Sequence, residues 1–219
     1  MPVVRGKGEG RGKGDGRVLR GRRNRDAVVD ALLGLLTDGE LNPTARAIAE
    51  RAGISRRSVF QHFPDMESIH EAASERVTDA LRPLLAPVDP CGSQARRIDE
   101  LSARRRALLV VIDPIARAAR ARGSVSEVIR DGRRRLNDRM REQCAAAVAA
   151  ELAERPGPDT DAVVTAVAAA MSWNLWDHLR VDIGLGDDEA IEIMRRLVTS
   201  VITATVGAVV PDLGLGGTG

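Results

Sequence analysis

Residues 42–67, NPTARAIAERAGISRRSVFQHFPDME, decide how the rest of the chain is read. Asn42 can cap a helix whose first position is Pro43, where the missing amide donor costs nothing. Ala45, Ile48, Ala49 and Ala52 give that helix an apolar face. Gly53 falls where the chain must turn sharply, and a residue without Cβ is the cheapest occupant there. Ser55 can cap a second helix over 55–62, with Val59 and Phe63 facing inward. Pro64 closes it and Asp65 can cap a third. An alanine four residues before the turn glycine lets the two helices cross closely, while Ile54 and Val59 fill the space between them. That is the core of a helix-turn-helix with residues 55–62 as its recognition helix. Arg56, Arg57, Ser58, Gln61 and His62 would be left on its outer surface, where arginine suits phosphate or guanine and glutamine suits adenine. The alternative is a plain helical hairpin with a solvated charged face.

The segment at about 23–75 resembles the TetR-type bacterial transcriptional regulators. The resemblance is carried by the first-helix run AVVDALLGLL, then TARAIAERAGIS, then RRSVFQHFPDMESI. It implies an all-α protein with an N-terminal three-helix DNA-binding module and a larger helical domain that dimerises and often binds a small effector. Taken with the spacing, the expected DNA-binding set is Thr44, Arg46, Ser55, Arg56, Arg57, Ser58, Phe60, Gln61 and His62. Two positions depart from the family pattern. Phe60 stands where a tyrosine is common and Met66 where a lysine is common, so two phosphate contacts are missing.

The totals agree with close-packed helices. In 219 residues there are two Phe, two Trp and no Tyr, so the core must be built from Ala, Leu, Val and Ile. All but Lys7 and Lys13 of the 33 basic residues are arginine, which with the abundant Ala and Gly fits translation from GC-rich DNA. Arginine number alone is therefore no measure of DNA affinity. Charge placement says more. Residues 1–23 hold eight basic and two acidic side chains, whereas 24–76 hold six arginines and nine acids. The module's positive field must come from Arg46, Arg56, Arg57 and the tail, and a phosphate-binding surface need only be locally positive. Cys91 and Cys144 suggest neither a metal site nor a disulfide framework. No apolar run reaches membrane-spanning length and no signal-peptide core opens the chain. A cytoplasmic protein, nucleoid-associated when bound to DNA, is expected.

In chain order, residues 1–23 read as a disordered, glycine-rich basic tail that could follow the DNA backbone or be an unselected leader. Residues 24–76 read as the DNA-binding domain, 77–210 as the regulatory and dimerisation domain, and 211–219 as a C-terminal tail. The first helix is expected over 25–36, and a fourth over 66–85 with Ile69, Ala73, Val77, Leu81 and Leu85 on one seam. A helix over 93–112 should break or kink at Pro114. Ser124 and Glu127 form a capping box for a helix reaching 154, with Leu136, Met140, Cys144, Val148 and Leu152 in one stripe. Two helices, 160–183 and 187–210, follow. Both are apolar on more than one face, which suggests a four-helix homodimer interface unless both faces are internal core. The resemblance implies the same pair.

No catalytic residues, metal ligands or cofactor are expected. His62, His70 and His178 are scattered, and no nucleophile elbow or phosphate loop occurs. An effector site is expected in the alanine-rich bundle, with Met140, Cys144, Met171, Asn174 and Trp176 as candidates and Trp173 and His178 beside them. The alternative for each is a packing or dimer-interface residue with no ligand contact. The partners are double-stranded DNA, a second copy of the chain and a small-molecule effector, with no membrane. The reading is a sequence-specific DNA-binding regulator, expected to be a repressor released from an inverted-repeat operator by the effector. Its rival is a ligand- or protein-binding protein of the same fold with weak or lost DNA binding.

Overall fold

The computed structural model describes residues 12–122, 126–154 and 160–207. Every regular element among them is helical: α1 (Gly12–Thr37), α2 (Ala45–Ala52), α3 (Arg56–His62), α4 (Met66–Leu81), α5 (Gln94–Arg122), α6 (Glu127–Glu154), α7 (Thr160–Ala170), α8 (Trp173–Asp177) and α9 (Asp187–Gly207). A 3-10 turn at Arg82–Leu85 extends α4, and a π turn at His178–Asp182 follows α8. The chain divides into two compact units, Met1–Thr78 with Pro114–Arg133, and Asp79–Asp113 with Arg134–Gly219.

The first unit is built on α1 to α4. Val28, Val29, Leu32 and Leu36 from α1 meet Ile48 and Ala49 from α2, Val59 and Phe63 at α3, and Ile69 and Ala73 from α4. Aliphatic side chains recurring every three or four residues put these groups on facing stripes. The unit also takes in 114–133, a stretch the sequence places in the later domain, because Ile115 and Ala118 pack on this core.

Several boundaries differ from the sequence reading. Thr44, not Asn42, caps α2, its hydroxyl accepting from the Ala47 amide at 3.2 Å. Pro43 is thereby left outside the helix and buried. Helix α1 begins at Gly12 rather than Arg25, so residues 12–23 are helical instead of disordered, while 1–11 lie outside the described residues. Once a helix is anchored by its core-facing end, each further turn adds hydrogen bonds without repeating the nucleation cost. Pro114 does not end α5, which runs through it. The carbonyl freed by a missing amide is that of Val110, on an exposed position where water can serve it. The cap of α6 is Ser126, which accepts from the Ile129 amide at 3.2 Å, and Ser124 of the expected capping box lies outside the described residues.

The second unit holds residues 79–113, which include α5 up to Asp113, the later part of α6, and α7 to α9. Ile98, Leu101, Leu108, Leu109 and Ile112 from α5, Met140, Cys144, Ala147 and Val148 from α6, and Met194, Val198 and Ile202 from α9 are all buried. The expected single helix over 160–183 is broken. Ser172 takes an extended conformation, caps α8 by accepting from the Leu175 amide at 3.3 Å, and so interrupts the chain after Ala170. No helix among the described residues is long and apolar enough to cross a membrane.

Candidate functional site

The turn between α2 and α3 has the geometry its residues dictate. Gly53 lies at φ 67°, ψ 27°, a left-handed conformation that glycine alone adopts cheaply, and its amide reaches back to the Ala49 and Glu50 carbonyls. Ser55 then caps α3, accepting from the Ser58 amide at 3.1 Å. Val59 and Phe63 are fully buried beneath the helix, which fixes which face points outward. Asp65 starts α4 by accepting from the Ser68 amide at 2.8 Å.

On the outward face, Arg57 and Gln61 are exposed and have no side-chain partner among the described residues. They are four apart and so share one side of α3. Arg56 is also exposed, its guanidinium 5.8 Å from the centre of the Phe60 ring, itself 39% exposed. Phe60 thus supplies a platform for a cation where a tyrosine would have supplied a hydroxyl. The hydroxyls of Ser55 and Ser58 face each other at 2.9 Å, and that of Thr44 serves its own helix, so Thr44 and Ser55 act first as caps and Ser58 as a partner of the Ser55 hydroxyl. Arg46 is extended into solvent but paired with Glu50 at 2.8 Å. The hydrogen bond that Arg46 donates to that carboxylate, then the carboxylate's charge, raises the Arg46 pKa, so the guanidinium must exchange partners to take a phosphate. His62 is half-buried at the end of α3.

Arg25 is a residue the sequence reading missed. Its guanidinium lies 4.2 Å from the Phe63 ring centre and donates to the His62 carbonyl at 3.0 Å, tying α1 to the end of α3. Gly21 of α1 passes the same place, where a Cβ would make only an ordinary contact at 3.9 Å from His62 Cε1. Only the recurrence of arginine along residues 17–25 hinted at it. Of this unit's acids, Asp26 and Asp30 are paired with Arg76, Asp38 with Arg51, and Glu50 with Arg46.

The candidate effector residues lie in the second unit. Met140, Cys144, Met171 and Trp176 are buried, and Asn174 is exposed. Met140, Cys144 and Met171 are brought together around a group the sequence reading did not single out, the guanidinium of Arg105, which contacts all three. Trp173 is half-buried and donates from Nε1 to Asp113 Oδ1 at 3.0 Å; His178 is exposed beside Asp182 at 2.8 Å. Among the described residues no group of three or more His, Cys, Asp or Glu side chains could hold a metal ion.

Residues 29–73 match the family model described as bacterial regulatory proteins, tetR family. None of the curated proteins compared matches the chain. Solved structures similar to the chain include a transcriptional regulator from Rhodococcus sp. Rha1, with 18% identity over 84% of this chain and 96% of that one, and a TM-score of 0.64. A tetR-family transcriptional regulator from Streptomyces coelicolor gives a TM-score of 0.67 at 18% identity, over 85% and 83% of the two chains. A TetR transcription regulator from Haloarcula marismortui gives 0.60 at 18% identity, over 83% and 97%.

Proposed function

We propose, from a TetR-type fold whose N-terminal helix-turn-helix region the chain carries, that this protein is a dimeric, sequence-specific DNA-binding regulator acting as a repressor. The observation that carries the reading is the outer face of α3, where Arg57 and Gln61 stand exposed and without a side-chain partner among the described residues, above a fully buried Val59 and Phe63. A recognition helix enters a major groove with such side chains at the base edges, and two-fold symmetry then requires an inverted repeat with half-sites about 34 Å apart or a multiple of it. Arg56 and Arg57 supply phosphate contacts, with Arg46 available once it leaves Glu50. Gln61 reads a base. The second unit binds a small effector that lowers DNA affinity by linkage.

The test is a fluorescence-anisotropy titration of the dimer against an inverted repeat upstream of its own gene, with a scrambled duplex alongside. Arg57→Ala should weaken both duplexes and reduce the salt slope by about 1, as loss of one phosphate contact does. Gln61→Ala should reduce discrimination between the duplexes by about 1–3 kcal/mol. An equal loss on both duplexes would remove Gln61 from base reading. The rival, a ligand- or protein-binding protein of this fold, draws on Phe60, Met66 and the Arg46–Glu50 pair. Weak, sequence-independent binding to every promoter tried would favour it.

A further inference from the structure

Two arginines of α5 are buried in the second unit, and they are satisfied in different ways. Arg97 is 4% exposed and has a counter-charge in Glu151, with the Ala147 and Gly92 carbonyls taking further donors. Arg105 is fully buried and has no carboxylate partner among the described residues. Its Nη1 donates to the Met171 carbonyl at 2.9 Å. Its Nη2 makes only long contacts, to the Met140 carbonyl at 3.2 Å, Gln143 Oε1 at 3.3 Å and Cys144 Sγ at 3.6 Å. Its Nε has no acceptor among the described residues. Burying an ion without its opposite costs several kcal/mol, and leaving a donor unsatisfied adds to it. Burial accordingly lowers the Arg105 pKa, the neighbouring Cys144 opposing the shift, while the guanidinium remains a cation at neutral pH.

The deficit is directional. Nε and Nη2 form one edge of the planar fork, the edge that grips a carboxylate with two parallel bonds. Here that edge holds the orphan donor and the longest bonds, whereas Nη1 is firmly held. The acceptors now near Nη2 are neutral, so one negative charge is missing rather than two. A dianion would also meet the Met140 carbonyl and the Gln143 oxygen. The chain is interrupted at this place, the helix breaking between Ala170 and Trp173 next to the Met171 carbonyl that Arg105 holds. Two of the four residues that meet the guanidinium are methionines, whose side chains repack at low cost.

We infer that Arg105 is the anchor of a binding site for a small monocarboxylate with an apolar tail, its Nε/Nη2 edge taking the carboxylate and the side chains of Met140, Cys144 and Met171 receiving the tail. This rests on the reading that the second unit binds an effector, and it names the chemical class of that effector. It also assigns a role to three of the five residues singled out from the sequence.

The experiment uses the full chain and a defined set of probes: straight-chain acids from acetate to octanoate, and benzoate, each beside its own amide at matched ionic strength. Thermal unfolding should rise by roughly 3 °C at tenfold excess over Kd for at least one acid, and by nothing for its amide. The response should vanish in Arg105→Met. If that variant does not fold, Arg105→Lys serves, which keeps the charge but loses the fork and should weaken the acid at least tenfold. Equal shifts for acid and amide, a shift that survives in Arg105→Met, or no shift with any acid in the set would each overturn the site. Anisotropy on the ligand-free protein separates the two readings: specific DNA binding without an acid response removes the anion site alone, and an acid response without specific DNA binding removes the regulator alone.

Discussion

Gly53 shows how one residue sets the aim of the candidate interface. Its φ of 67° lies in the left-handed region, and a Cβ there would meet nothing within 4 Å. The cost of adding one is therefore purely conformational, about 1–2 kcal/mol. Gly53→Ala should lower stability by that amount in urea melts, and it should reduce DNA affinity further if the turn relaxes and re-aims α3. A second residue-scale expectation concerns Glu192, whose hydrogen bonds from Arg195 and then Arg196 hold its carboxyl down at about 2. A carboxylate depressed on folding contributes stability that is fully present above its unfolded value near 4.5 and is lost as pH falls through about 2. The group is solvent-exposed, so the effect is small and screened by salt. Comparing the wild type with Glu192→Gln from pH 6 to pH 2, the difference in urea midpoint should hold to about pH 4 and shrink toward pH 2; a difference independent of pH would remove the ion pairs as its cause.

At the scale of elements, the sequence was most legible where local chemistry had no competitor. Gly53 and Ser55 placed the turn and the α3 cap because each is the cheapest residue for its backbone conformation, and the buried Val59 and Phe63 followed from helical spacing. It was least legible where two local signals competed or where a long-range partner decided. Asn42 and Thr44 are both good caps, and Thr44 serves because Pro43 is buried ahead of the helix. Ser172 looks like any small residue inside an apolar repeat, yet the carbonyl next to it is held by Arg105, 66 residues away. No periodicity in 160–183 could reveal that. Helix α1 is the element with a consequence for DNA. Its first turns carry Arg20, Arg22 and Arg23 exposed and unpaired among the described residues, and its join to the end of α3 is made by Arg25. If this extension follows the phosphates beside the groove that α3 enters, replacing all three arginines by alanine should reduce the slope of log K against log salt by about 2–3. Preference between operator and scrambled duplex should change little, because phosphate contacts position without specifying. An unchanged slope would make the extension an unselected leader.

At the scale of the molecule, the unsatisfied feature is α9. Ala190, Met194, Val198 and Ile202 are buried within its own unit, where α7 and α9 pack together. Beside that stripe Ile193 and Leu197 remain 36% and 42% exposed, one helical turn apart, and Val181 and Ile183 just ahead of the helix are each 56% exposed. Apolar groups aligned this way outside a filled core suit an isologous contact, in which each residue is used twice. Leu197→Glu tests this cleanly, because the buried stripe that folds the unit is left untouched. In a two-fold interface the change places two carboxylates in one apolar patch, and self-association should weaken at least about 100-fold, read by sedimentation. A monomer can grip only one half-site, so affinity for the full inverted repeat should fall by about 10² to 10⁴ through lost effective concentration, while affinity for an isolated half-site stays as it was. That split distinguishes a lost partner from a damaged reading head, which would weaken both duplexes together. A wild type that sediments as a monomer, or a Leu197→Glu variant that still dimerises, would exclude α9 as the interface and leave its exposed stripe without a role in DNA binding.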